Sequence, residues 1–152
     1  MSAPLSTAAV AGLRALGSPT AEHLVPIAPH LAGAAAARIV LPWCAGCAQA
    51  HWYPALRCPG CGGGDWTWRD VGTDAVLDSW TIVHHALAPA LREHVPFALG
   101  LAVPVGAPNV RLVATLLVLP GQTPRIGQPL TARPGPELDD GRLLSFATGA
   151  TS

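Results

Sequence analysis

The side chains best equipped for chemistry in this chain are its four cysteines, Cys44, Cys47, Cys58 and Cys61, which sit in the segment CAGCAQAHWYPALRCPGC as two C-x-x-C pairs ten residues apart. Each pair can hold two thiolates on one tight turn. Two such turns face to face supply the tetrahedral sulfur set that zinc accepts without geometric preference. Glycine directly after Cys61 permits a positive φ that brings backbone amides toward the sulfurs, and Pro59 stiffens the same turn. A disulfide framework would call for an oxidising compartment and a denser cysteine content than four in 152 residues. A thioredoxin-like centre would need one pair opening a helix, not two mirrored pairs around a short loop. Iron in a rubredoxin-like site takes the same four thiolates, so ligand type leaves zinc and iron both open; zinc is the preferred reading because nothing in the chain reads as an electron path. Four sulfurs close the coordination shell, which makes the metal structural. His51, between the pairs, reads as a surface histidine or one that touches the cage from outside.

No second constellation of this strength is present. Ser79, Thr81, His84 and His85 contain the residue types of a hydrolase triad but lack a nucleophile elbow, and His84 alternates with Ile82 along a strand. The glycines of CGGGD are not followed by Gly-Lys-Ser/Thr and form no phosphate loop. Trp43, Trp52, Tyr53, Trp66 and Trp68 crowd the cysteine module. They could stack on bases, but only Arg57 and Arg69 lie among them, and a ribbon of some thirty residues has so little core that large rings are needed to cover its metal.

The cysteines must be held by short strands and turns, because sixteen glycines and sixteen prolines interrupt a chain that is half hydrophobic. Nine arginines, no lysine and nine acidic residues leave no net charge, which argues against a polyanionic partner, nucleic acid or anionic membrane. The N-terminal stretch has no basic start and no unbroken apolar core, and no window of eighteen apolar residues occurs, so a cytoplasmic protein with reduced thiols is expected. Residues 1–28 read as an extension with a short helix from Ser6 to Leu16. A second helix is expected from Pro29 to about Ala37; residues 29–41 are nearly free of charge and are expected to lie against a partner or the chain's own body. Residues 42–70 read as the metal ribbon, ending in a strand over Trp66–Asp70. In residues 71–152 strands are expected in AVLDSWTIVHH, with Val76, Asp78, Trp80, Ile82 and His84 on one face; in FALGLAVPV; in VRLVATLLVL, apolar on both faces; in a shorter GQPLTARPG; and in RLLSFATG after an Asp-Asp-Gly turn. The fold class is therefore mainly β, a helix and a rubredoxin-like zinc ribbon followed by a five-stranded barrel of the OB type, with a sandwich fragment as the alternative.

The two C-x-x-C pairs, the aromatic-proline WYP between them, CPGCG, the strand ending at Thr81–His84, VPFALGLAV and RIGQPL together resemble the DUF35 family over residues 29–148. The chain departs from that pattern in its alanine-rich helix and in the extra N-terminal residues. The resemblance implies a zinc ribbon ahead of an OB-fold and an accessory role. Such proteins bind thiolase-like condensing enzymes, acyltransferases or aldolases, or are fused to hydratases, and some help admit acyl-CoA. The expectation is a non-catalytic subunit of a hetero-oligomer with a thiolase-like partner, holding structural Zn2+ and with acyl-CoA as a ligand. His84, Arg92 and His94, in the loop of residues 84–97, are the candidate acyl-CoA contacts, because long loops in compact domains carry function. A single-stranded nucleic-acid-binding protein is the alternative, since zinc ribbons and OB-folds both serve that purpose.

Overall fold

The computed structural model describes residues 27–87, 89, 92–138 and 141–149. The expected helix at Ser6–Leu16 and the two aspartates of the Asp-Asp-Gly turn lie outside these residues. Helix α1 spans Ala28–Ala35, with proline in its first turn, no side-chain cap, no acidic residue at its start and no basic residue at its end. Eight residues with so little local support are held by packing. Leu31 and Ala34 are buried, and the helix lies against strands of the barrel described below and against the first ribbon strand.

The helix stops two residues before the expected Ala37. Ala37 adopts φ 56°, with its N–H donating to the Ala34 carbonyl at 3.0 Å and the Arg38 N–H reaching the Gly33 carbonyl at 2.8 Å. This double closure at a left-handed residue usually relies on glycine. The inner side of residues 29–41 belongs to the chain's own core, with Leu31, Ala34, Ile39 and Leu41 buried. Ala28, Ala32, Ala35 and Ala36 form the exposed side.

Strand β1 (Val40–Cys44) pairs antiparallel with β2 (Trp66–Asp70), from Val40 opposite Asp70 to Cys44 opposite Trp66. The barrel follows: β3 (Asp74–Val83), β4 (Phe97–Pro104), β5 (Leu112–Leu117), β6 (Pro129–Leu138) and β7 (Gly141–Thr148). It closes in the order β3-β4-β5-β7-β6, with β6 returning to β3; only β5 and β7 run parallel. This is the five-stranded, OB-type architecture. Leu77, Ala102, Leu116, Leu130, Ala132 and Phe146 are among its buried residues. Gly100 sits where two of them meet, since a Cβ there would lie 2.9 Å from both Leu77 and Leu116.

Two strand readings need correction. The single face drawn through Val76 and Trp80 does not exist, because a bulge between Leu77 and Ser79 inserts Asp78 and reverses the alternation; Val76 is exposed whereas Trp80 packs on the core. The strand expected to be short, β6, has ten residues, because it continues through Pro134-Gly135-Pro136 as an irregularity. At Gly135 a Cβ would stand 2.6 Å from both the Leu143 carbonyl and the Ser145 hydroxyl, so glycine permits the close passage. Strand β5 is paired on both edges as its composition suggests, yet Val113 on its outer face is 68% exposed.

Ribbon and barrel share one apolar core, running from Ala34, Ile39, Leu41 and Ala50 to Leu112, Leu130 and Phe146. The Asn109 side-chain amide, from the β4–β5 loop, donates to the Ala50 carbonyl at 2.8 Å and pins the cysteine segment to the barrel. His30 is 6% exposed, donates Nδ1–H to the Val40 carbonyl at 2.8 Å and lies tilted against Trp52 with ring centroids 4.2 Å apart.

Burial holds the His30 pKa below its ordinary 6.5, against the opposing effect of the Val40 hydrogen bond. Below 6.5 the unfolded chain therefore takes up a proton that the folded chain refuses, so stability present above 6.5 is lost as the pH falls toward the depressed value. We expect the denaturant midpoint of His30→Asn, which keeps a donor for Val40 but does not titrate, to fall less between about pH 7 and 5.5 than that of the parent. Equal slopes in urea titrations would assign the pH dependence elsewhere.

Candidate metal centre

The four cysteines expected as ligands come together. Their Sγ atoms all lie within 4.8 Å of one another, with Cys44 and Cys61 at 3.5 Å and Cys47 and Cys58 at 3.6 Å. A tetrahedral ion with Zn–S bonds of about 2.3 Å requires sulfur–sulfur edges of about 3.8 Å, so the cage has the size and donor chemistry for zinc. Cys44 and Cys58 are buried, Cys47 is half-buried and Cys61 is exposed.

Two knuckles of matching design make the cage. In the first, the Cys44 carbonyl accepts from the Ala48 N–H at 2.9 Å; in the second, the Cys58 carbonyl accepts from the Gly62 N–H at 2.8 Å. Ala48 has φ 55° and Gly62 has φ 77°, so the residue after each pair's second cysteine is left-handed. Sequence reading identified the glycine and missed the alanine, which carries no signal of that conformation. Gly46 and Gly63 complete the cradle, since a Cβ would stand 3.1 Å and 3.4 Å respectively from the Cys61 sulfur. The knuckles are tied to the sheet through Cys44 N–H to the Gln49 carbonyl and Ala45 N–H to the Asp65 carbonyl, each 2.9 Å.

The cage's electrostatics favour a cation. The Cys47 backbone N–H, with smaller help from neighbouring thiols and the Gly46 N–H, holds the Cys44 thiol down at about 7. At Cys47 the Gln49 N–H pulls the same way, but desolvation and the surrounding thiols win and push it up to about 11. Cys61 is also raised, its neighbours and desolvation overcoming the Gly63 N–H. Four negative sulfurs at this spacing cannot coexist without a positive charge among them. Bound zinc would supply that charge and crosslink the two knuckles, with no open position for catalysis.

Most of the aromatic residues are used within the module. Trp43 and Trp52 pack on the core, Arg69 lies 5.4 Å above Trp43, and Trp52 stacks on Tyr53 and meets His30 at a tilt. Tyr53 and Leu56, each 69% exposed, are the module's apolar surface. His51 stands edge-on to Trp66, with Nε2 at 3.3 Å from the Cys58 sulfur.

The residues singled out for acyl-CoA are elsewhere. His84 and His85 are exposed immediately after β3, Arg92 is exposed and His94 half-buried on the return toward β4. None of them lines either of the two cavities described next. Beside their loop is an apolar groove of about 430 Å³, lined by Ile82, Pro96, Phe97, Val118, Leu119 and Pro124 among others. A wider depression of about 1260 Å³ lies between β3, β6 and the 121–128 loop, with Arg125 and Ile126 on its wall. Sequence reading named neither. No helix of the described residues is long and apolar enough to cross a membrane.

Purified protein is expected to hold about one zinc per chain, and a strong chelator to unfold the ribbon, since structural zinc contributes on the order of 10 kcal/mol to such modules. Metal analysis together with tryptophan circular dichroism checks both points; metal-free protein with an unchanged tryptophan signal would refute the assignment. Replacing Ala48 by glycine is expected to stabilise the ribbon by about 0.5–1 kcal/mol, because the left-handed conformation then carries no Cβ penalty. Thermal melts of the metal-loaded proteins measure it.

Residues 32–67 match the family model described as ChsH2, rubredoxin-like zinc ribbon domain. Among solved structures, the chain is similar to the one described as the Ltp2-ChsH2(DUF35) aldolase, with a TM-score of 0.68 and 23% identity over 88% of this chain and 100% of that one. It is also similar to a DUF35-family protein of unknown function from Sulfolobus solfataricus, with a TM-score of 0.51 and 16% identity over 77% and 80% of the two chains. No curated protein matches the chain. Residues 32–67 are thus similar to the ChsH2-type rubredoxin-like zinc ribbon, and the chain has the fold of solved DUF35 structures, in agreement with the resemblance read from the sequence.

Proposed function

We propose that this protein is a non-catalytic accessory subunit of a thiolase-fold enzyme, an aldolase, condensing enzyme or acyltransferase, which it scaffolds and to which it helps admit acyl-CoA. The observation that carries this reading is the likeness in fold to the whole of a chain in a structure described as the Ltp2-ChsH2(DUF35) aldolase. Two features of the chain support it. Its metal site is of the closed, structural kind. Exposed apolar side chains, including Tyr53, Leu56, Val113, Leu119 and Ile126, suit a surface that another subunit covers. A cytoplasmic address accords with a cage that depends on reduced thiols.

Acyl-CoA is assigned to the β3–β4 loop. Arg92, His84 and His94 are the groups suited to phosphates, and the apolar groove flanked by Ile82 and Pro96 is of a size and character suited to an acyl chain.

Isolation of the protein from its native host is expected to bring down a thiolase-like enzyme in stoichiometric amount, while the isolated subunit turns over no acyl-CoA. Ala35→Asp and Ala36→Glu, on the exposed side of α1, are expected to weaken that complex about tenfold or more with metal content unchanged. Size-exclusion chromatography of a lone, well-behaved monomer that is retained on single-stranded DNA in a salt-sensitive manner would instead favour a nucleic-acid role. Within the complex, Arg92→Ala with His94→Ala is expected to raise the acyl-CoA KM several-fold; an unchanged KM removes the loop from the substrate path.

A further inference from the structure

Backbone N–H groups serve all four sulfurs: that of Cys47 on Cys44, that of Gln49 on Cys47, that of Gly63 on Cys61 and that of Gly60, at 3.4 Å, on Cys58. Cys58 has a side-chain neighbour as well, the imidazole Nε2 of His51 at 3.3 Å. A metal-bound cysteine is a thiolate and can only accept, so the pairing requires the proton on Nε2.

The ring does not reach this position by the freedom of its own side chain. The His51 N–H donates to the Pro42 carbonyl at 3.1 Å, and the preceding Ala50 bridges to Trp43 and accepts the Asn109 amide. From the other side the imidazole meets Trp66 at 85° and 5.5 Å between centroids, and Trp66 is the strand partner of Cys44. Sheet, barrel loop and indole therefore converge on one imidazole, half-buried and directed at a buried sulfur.

We propose that His51 is a positioning residue of the metal cage, donating Nε2–H to the Cys58 thiolate and so drawing charge from that ligand and setting how firmly the metal is kept. The inference rests on the zinc-ribbon reading, but its test does not depend on the identity of any partner enzyme. Partners that orient metal ligands from outside the cage typically change metal affinity by about 10- to 100-fold when removed. In this ribbon the barrel is coupled to the cage through the same residue, by way of Asn109, Ala50 and His51.

The full chain is loaded with cobalt(II), which reports on its thiolate ligands through sulfur-to-metal charge transfer. His51→Phe keeps a ring against Trp66 without the donor, and His51→Gln places an amide N–H at about the reach of Nε2. His51→Phe is expected to lose metal to a chelator at about 10- to 100-fold lower concentration, with its charge-transfer band displaced to longer wavelength. His51→Gln is expected to restore both toward the parent. A phenylalanine variant with parental retention and an unmoved band overturns the proposal, and so does a glutamine variant that behaves like the phenylalanine one. If neither variant folds, the parent loaded with an NMR-active cadmium isotope decides. A His51 Nε2 proton showing scalar coupling to the metal through Cys58 supports the proposal; a ring protonated on Nδ1 alone overturns it. Failure to find four-sulfur coordination in the parent would refute the zinc-ribbon reading itself, an outcome distinct from both.

Discussion

Four sulfurs gathered within 4.8 Å form the constraint around which the ribbon of this protein is arranged. So short a segment, rich in glycine and proline, cannot bury enough apolar surface to fix its own conformation. The cage does so instead, by tying two turns together where the hydrophobic effect is weakest. The same requirement explains the neighbours of the sulfurs. Glycines stand where a Cβ would press on a sulfur, backbone amides point inward to offset the thiolate charge, and the indoles close over the strands that carry the knuckles.

The barrel answers a different constraint, that of removing edges. Its strands take backbone partners on both sides once β7 inserts between β5 and β6, and the one parallel pairing, β5 with β7, is what closes the cylinder. A closed barrel leaves no long, flat edge for another chain to extend. The two-stranded sheet of the ribbon has no such protection by closure. It is instead short, and its second strand ends in Arg69 and Asp70, charged residues of the kind that discourage edge pairing.

Legibility in the sequence followed the range of the interaction. The cysteine pairs were readable because their chemistry is fixed by residues three apart, and the strands because β-branched runs alternate with turn residues. The bulge at Asp78 was not readable, since two-residue periodicity cannot announce where it will be broken. Pro134-Gly135-Pro136 looked like an ending and was a continuation, because what lets the strand pass is the space beside Leu143 and Ser145 on another strand. Ala37 and Ala48 adopt a conformation usually marked by glycine, and only the hydrogen bonds around them reveal it. The contact of Asn109 with Ala50, fifty-nine positions apart, is a side-chain event that no local pattern encodes, whereas the place of His51 between the cysteine pairs already suggested its approach to the cage from outside.

Because one apolar core runs from Ala34 in the helix through Leu41 and Ala50 to Phe146 in the barrel, the described residues have no natural seam. Cleavage after Asp70 would leave Ile39 and Leu41 on one fragment and the barrel residues that cover them on the other, each exposing an apolar scar that neither could close. Domain shuffling in evolution should therefore have moved helix, ribbon and barrel as a block. Amide hydrogens of β1 and of the adjacent barrel strands should likewise open to solvent together, as one cooperative unit.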